Sequence, residues 1–235
     1  YGEDSTLAAA MGSAYARGIQ KQGDGECRAE SVAKHYMGFH QSEGGIHGTV
    51  CSIPERLLRE VYGLPFQAAI AEENLRGVMP CYCSIGGEPV SASEHLLTQI
   101  LRQEMGFDGV AVADYSAVSN VHHTQKLYET EAGLACLSAG MDVELPDTVC
   151  FNEEMKAMFA QGKADMALLD QAVRRVLRAK FRMGLFEHPF ALTGSALSEM
   201  VHHPEDELIT LQSALESLVL LKNDNHVLPV GKNVR

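Results

Sequence analysis

No run of about 18 apolar residues occurs in this chain, so no segment has the make-up of a transmembrane helix. Disulfide patterning is missing as well. Cys27, Cys51, Cys81, Cys83, Cys136 and Cys150 form no C-x-x-C pair and no scaffold spacing. They read as free, mostly packed thiols, which favours a reducing, cytoplasmic compartment over a secreted one. Cys81 and Cys83 lie two apart on an expected strand, half of a zinc site at most, and no metal is assigned. The glycine fingerprint G-x-G-x-x-G is absent, which argues against a dinucleotide cofactor, and no other cofactor is implied. Positive charge is scarce: 19 Lys and Arg stand against 31 Asp and Glu, for a net charge of −12. Such a surface repels phosphate backbones and anionic lipid, so nucleic acid and membrane are poor partners. A neutral small molecule meets no such barrier, and homo-oligomer formation stays open. There is no initiator Met either. The chain opens YGEDSTL and reads as a segment that starts inside a longer protein.

What is present is material for one sizeable core, 46% of the residues being hydrophobic. Apolar positions Leu7, Met11, Ala14, Tyr15 and Ile19 predict a helix over 5–21, with Ser5 and Thr6 available as caps and QGDGE as its break. SVAKHY predicts a strand, and residues 40–53 form a loop too long to be a mere connection. Pro54 opens a helix. GVMPCYCSI predicts a second strand, then a helix capped by Ser91 and Ser93 and stopped by Gly106. GVAVADY and MDVELP predict a third and a fourth strand, separated by a helix over 129–139. Helices near 152–161 and 166–183 follow, the last crowded with Arg174, Arg175, Arg178 and Lys180 where they complement the helix dipole.

Short apolar strands alternating with helices belong to parallel α/β sheets covered on both faces. The spacing fits half or more of a (β/α)8 barrel over 1–184, and a doubly wound open sheet fits the same pattern. Residues 185–212 contain Pro189 and Pro204, show little periodicity and read as an interdomain linker. The run SALESLVLLKNDNHVLPV over 213–235 looks like the entry to a second α/β domain.

Parallel sheets place chemistry at the C-terminal ends of their strands. Polar residues gather at those ends: Lys34 and His35, Tyr82, Asp114 and Tyr115, then Asp142 and Glu144. Asp114 is the sharpest, since a carboxylate closing an apolar run is costly to bury without a partner. Each has a plainer reading. Asp114 fits a helix cap or a carboxylate bonding loop amides, Lys34–His35 a structural ion pair, Tyr82 a packed aromatic, and Asp142 and Glu144 braces for neighbouring loops. His40 and His47 fit solvated or loop-bracing roles. His122–His123 and His202–His203 lack a third metal ligand.

At this point the residues resemble glycoside hydrolase family 3, the β-glucosidase and β-xylosidase type. The opening YGEDSTLAAAMGSAYARGIQ is similar to the family's G-E-D-P-x-L segment, with Ser5 in place of proline. AKHYMGF resembles K-H-F/Y-x-G, and PERLLREVYGLPFQAAI the segment after it. GVMPCYCSIGGEPVSAS resembles V-M-x-x-Y-N-x-x-N-G-x-P, with Cys83 and Gly86 departing from the usual Asn. LLTQILRQEMGFDGVAVADYSAV is the most specific match, although Ala113 replaces the common Ser. AGMDVELP and ALESLVLLKND complete a likeness over nearly the whole chain.

The resemblance implies a retaining exo-β-glycosidase acting on terminal glucosyl or xylosyl residues of a small neutral oligosaccharide or β-glycoside. It makes Asp114 the nucleophile and Lys34 and His35 donors to sugar hydroxyls. Tyr82 orients the nucleophile, and Tyr115 is a stacking platform. Lys34 is expected close enough to hold the Asp114 carboxylate ionised. The general acid/base would be a glutamate beyond Arg235, and further sugar ligands would precede Tyr1, so the isolated chain is expected to be inactive. Three rival readings stay open. One is an inactive sugar-binding relative, and another an aldolase-type lyase with Lys34 as Schiff-base amine. The third is an N-acetylglucosaminidase, whose K-H-F-P-G-H-G-D form KHYMGFHQ lacks.

Overall fold

The computed structural model describes residues 1–20, 29–201 and 203–232. Cys27, the whole QGDGE break and His202 lie outside these residues. The chain separates into two compact units, Tyr1–Glu187 and His188–Arg235.

The first unit is mixed α/β. Its main sheet consists of Val32–Tyr36, Gly77–Pro80 and Val110–Ala111, all parallel and in chain order. A parallel bridge from Val112 to Val143 adds the fourth expected strand as little more than a single contact. GVAVADY and MDVELP therefore yield much less strand than their apolar runs predict. The reason lies in one side chain. Asp142 N donates to Ala111 O at 2.9 Å, but Ala111 N donates to the Asp142 carboxylate, also at 2.9 Å, where a ladder would supply a carbonyl. The backbone pairing resumes with Ala113 N on Val143 O at 2.9 Å. A second, small sheet joins Val50–Cys51, Ser84–Ile85 and Glu88–Pro89.

Helices cover the sheet because their apolar stripes need partners. Ser5–Gln20 packs on Leu64–Glu73, tied by Arg17 to the buried carboxylate of Glu73 at 2.6 Å and by Gln20 Nε2 to Glu73 O at 2.9 Å. Its cap is Asp4, which accepts from Thr6 N at 2.7 Å, rather than Ser5 or Thr6. Ser93 accepts from Leu96 N at 3.3 Å and opens the π-wound helix His95–Glu104, ended by Gly106 at φ +76°. That helix buries Leu96, Leu97, Ile100 and Leu101 in the same core as Val78 and Ala111. Tyr36, fully buried, spans this core: its hydroxyl donates to Leu96 O at 3.0 Å and its ring meets Phe66 edge-on. A helix not expected from pattern, Ala117–Gln125, forms because Ala117, Val118 and Val121 are buried. Its polar and β-branched residues give it little periodicity of its own.

The arginines of Met166–Arg182 do more than complement a dipole. Arg175 bonds Asp142 at 2.8 Å, and Arg182 bonds Asp108 at 2.8 Å. The outward face of this helix keeps Val173, Leu177 and Phe181 exposed at i, i+4 spacing.

In the second unit, helices Gly194–Met200 and Pro204–Ser217 bury none of their residues. The second crosses position 212, where the sequence pattern ended a linker. Pro204 at its first turn and three acids after it nucleate a helix that the prolines had obscured. Among the described residues, no helix is long and apolar enough to cross a membrane.

Candidate active site

Three of the expected site residues come together where the three main strands end. His35 is the fourth residue of Val32–Tyr36, Tyr82 follows Gly77–Pro80, and Asp114 follows the Val112 bridge. His35 Nε2 lies 3.1 Å from Asp114 Oδ2, and both side chains are about four-fifths shielded, with 21% and 18% exposure. Asp114 Oδ1 accepts the main-chain N–H of Tyr115 at 2.7 Å. The Tyr82 hydroxyl donates to Tyr115 O at 2.5 Å and faces the Asp114 carboxylate. Asp114 therefore does not cap the next helix with its side chain. Ser116, at φ 60°, stands at that position, and only the Asp114 carbonyl accepts from Ala117 N, at 3.0 Å.

The electrostatics follow from this packing. Burial lowers the His35 pKa below its ordinary value, the Asp114 charge partly opposes this, and the proximity of Lys34 and His47 adds smaller lowering contributions. At neutral pH the imidazole is then uncharged, and its Nε2–H donates to Asp114 as a hydrogen bond instead of an ion pair. Burial, and then the negative charge of Asp114, raise the Tyr82 phenol, so it stays a donor. The sign of the linkage is fixed by the depressed histidine. Its burial costs nothing well above pH 6.5, and it destabilises the fold as the pH falls through the unfolded value toward the lowered one. A titration of the His35 imidazole by NMR is expected to show a midpoint below about 6.5. That midpoint should rise in Lys34→Met and fall further in Asp114→Asn. A midpoint above 6.5 would contradict the neutral pair.

Lys34 is placed differently from expectation. It is exposed and, among the described residues, makes no ion pair with Asp114; the direct partner of the carboxylate is His35. The strand is irregular here, its pairing with Gly77–Pro80 shifting between Lys34 and Tyr36, and the half-buried side chain is that of His35 while Lys34 stays exposed. Lys34 and His35 do share a cavity of about 970 Å³ with Glu3, Tyr15, His40 and Phe66, which lies beside Asp114 and is not lined by it. Tyr115, at 63% exposure, presents its ring to solvent.

Asp142 and Glu144 serve the scaffold. Arg102 and Arg175 each hold Asp142 at 2.8 Å, and Arg102 also bonds Gly109 O and Gly140 O, the residues that lead into the third and fourth strands. Asp142 thus lies at the opposite end of the sheet from Asp114. Glu144 accepts from Cys150 N at 3.0 Å and Phe151 N at 2.7 Å, closing the following loop.

Two side chains at the site are not expected there from sequence: His47 reads only as a solvated or loop-bracing residue, and Phe39 is not singled out. His47 packs its ring edge on Tyr82 with centroids 4.9 Å apart, and Phe39 stands 5.3 Å from His35. The only signal was the unusual length of loop 40–53. The thiols of Cys51 and Cys83 flank Ser42, whose Oγ is 3.2 Å from Cys83 Sγ, and Cys81 adjoins Cys83. Hydrogen bonding from Cys81 and Ser42 pulls the Cys83 thiol down to about 5, while burial pushes Cys51 up to about 11. The five described cysteines are free and buried. Among the described residues, no group of three or more His, Cys, Asp and Glu is placed to hold a metal ion.

Comparison with known proteins points to one family. Residues 1–179 match the family model described as the glycosyl hydrolase family 3 N terminal domain. A β-xylosidase of Formosa agariphila is 36% identical over 245 residues, covering 98% of this chain and 33% of the relative. A lysosomal β-glucosidase of Dictyostelium discoideum is 35% identical, covering 99% of this chain and 30% of the relative. Among solved structures, a Listeria innocua β-glucosidase in complex with gluconolactone superposes with a TM-score of 0.87 at 30% identity, over 98% of this chain and 32% of that one. The chain thus spans about a third of the length of these proteins.

Proposed function

The chain belongs to glycosyl hydrolase family 3, and from that premise we propose that it is the nucleophile-bearing part of a retaining exo-β-glycosidase releasing terminal β-D-glucosyl or β-xylosyl residues. The observation that carries this reading is the Asp114 carboxylate held at the end of the third strand, with His35 on one oxygen and the Tyr82 hydroxyl beside it. A neutral histidine leaves the carboxylate its full negative charge, as a nucleophile requires. In the first step an Asp114 oxygen bonds to the anomeric carbon while a protonated carboxyl donates to the leaving glycosidic oxygen. In the second, that same group takes a proton from water, which displaces Asp114.

The two carboxyls of such a pair stand about 5–5.5 Å apart. The parallel strand order, and the apolar face left exposed on Met166–Arg182, support reading Tyr1–Glu187 as part of a (β/α)8 barrel wall. As the ring of a bound sugar flattens toward the oxocarbenium-like state, Lys34 and His35 grip its hydroxyls more tightly, and Tyr115 offers an apolar platform.

The test is covalent. The full-length protein, incubated with an activated 2-deoxy-2-fluoro-β-glucoside or xyloside, should gain the mass of one fluorosugar on the peptide carrying Asp114. No adduct with either sugar would favour an inactive sugar-binding relative, and an adduct on any other residue would overturn the assignment.

A further inference from the structure

The segment between the first strand and the helix that follows Pro54 is pinned by its own bonds. Thr49 Oγ1 donates to Glu43 O at 3.1 Å and Ile46 O at 2.9 Å, and Ser52 Oγ donates to the Glu43 carboxylate at 2.6 Å. Val50 and Cys51 pair in parallel with Ser84 and Ile85, just beyond Tyr82. The tip of this loop closes on Tyr82. Gly48, at φ +84°, lies so near that a Cβ there would stand 3.5 Å from Tyr82 Cβ. The His47 ring meets the Tyr82 ring edge-on, centroids 4.9 Å apart at 81°, and meets Phe39 at 6.1 Å and 87°. Phe39 in turn touches His35. One exposed histidine therefore joins the two side chains that flank Asp114.

We infer that His47 is a positioning residue, which holds the Tyr82 ring so that its hydroxyl stays on the Asp114 side of the pocket. The inference rests on the proposed role of Asp114. A tyrosine anchored only by its hydroxyl can swing about its side-chain bonds. The bond from Tyr82 to Tyr115 O fixes one end of the ring, and the His47 edge closes off its flank. Edge-to-face contacts of this kind are individually modest, so the effect on turnover is modest too.

Steady-state kinetics of the full-length protein test this with His47→Ala, His47→Phe and Tyr82→Phe. His47→Ala should lower kcat roughly 5- to 10-fold with KM within about 2-fold. His47→Phe, which keeps a ring edge, should restore most of that loss. In a Tyr82→Phe background the same His47→Ala change should cost almost nothing, because the group it positions has gone. Wild-type kcat in His47→Ala would overturn the inference. So would an equal loss with Tyr82 present or absent, or a His47→Phe variant as impaired as His47→Ala. Asp114→Asn, measured alongside, separates the two failures. If Asp114→Asn turns over normally, the glycosidase reading falls. If it is dead while the His47 variants match wild type, only the brace falls.

Discussion

Asp114→Asn in the full-length protein is expected to lower kcat by a factor on the order of 10⁴ while leaving the fold essentially unchanged. An amide has no anionic oxygen to bond to the anomeric carbon, so the first displacement stops. The fold survives because the side chain is still partly exposed and its scaffold duties are few. The amide oxygen can keep the N–H of Tyr115, now at 2.7 Å. The amide nitrogen then faces His35 Nε2, and two donors oppose each other unless the imidazole changes tautomer. A change of tautomer relieves that clash, so its cost stays at about 1 kcal/mol. Kinetics on an aryl β-glucoside and an aryl β-xyloside, with the thermal midpoint as control, decide the matter. Activity within tenfold of wild type on either substrate would sink the nucleophile assignment.

Asp142→Ala is expected to cost about 3–5 kcal/mol of stability, since it breaks a buried ion cluster by removing one side of it. The carboxylate is fully shielded and accepts from Arg102, Arg175 and the main-chain N–H of Ala111. Burial already lowers the pKa of Arg102, and the charge of Asp142 is what chiefly opposes that. Without it, a guanidinium with 8% exposure stays charged against two carbonyls, and the Ala111 N–H loses its acceptor. Ala111 lies on the strand that delivers Asp114, so the damage should reach the site as well. Asp142→Asn should be milder, because its amide oxygen still serves Ala111. Urea unfolding of the two variants measures both effects, and a loss below about 1 kcal/mol in Asp142→Ala would show that the cluster is dispensable.

Much of the scaffold was readable from residue order. Apolar runs located the strands, and Gly106 and Gly140 marked helix ends. Asp114 stood out because a carboxylate closing GVAVA needs a partner. The strand lengths were not readable, because nothing in MDVELP announces that Asp142 substitutes for a ladder carbonyl. The helix Pro204–Ser217 was hidden because its opening proline read as part of a linker, and Ala117–Gln125 by residues that are helical only through burial.

Residue order by itself determined the alternation of elements, the acidic composition and the candidate carboxylate, Asp114. These depend on local chemistry and on patterns within single segments. Only the tertiary structure decided which group touches that carboxylate. Residue order pointed to Lys34 as the charge beside it, whereas packing gave the contact to the neighbouring His35, kept neutral chiefly by desolvation. The same is true of His47, which reaches Tyr82 across a long loop. Contacts between residues far apart in the chain arise from packing, and no local pattern encodes them.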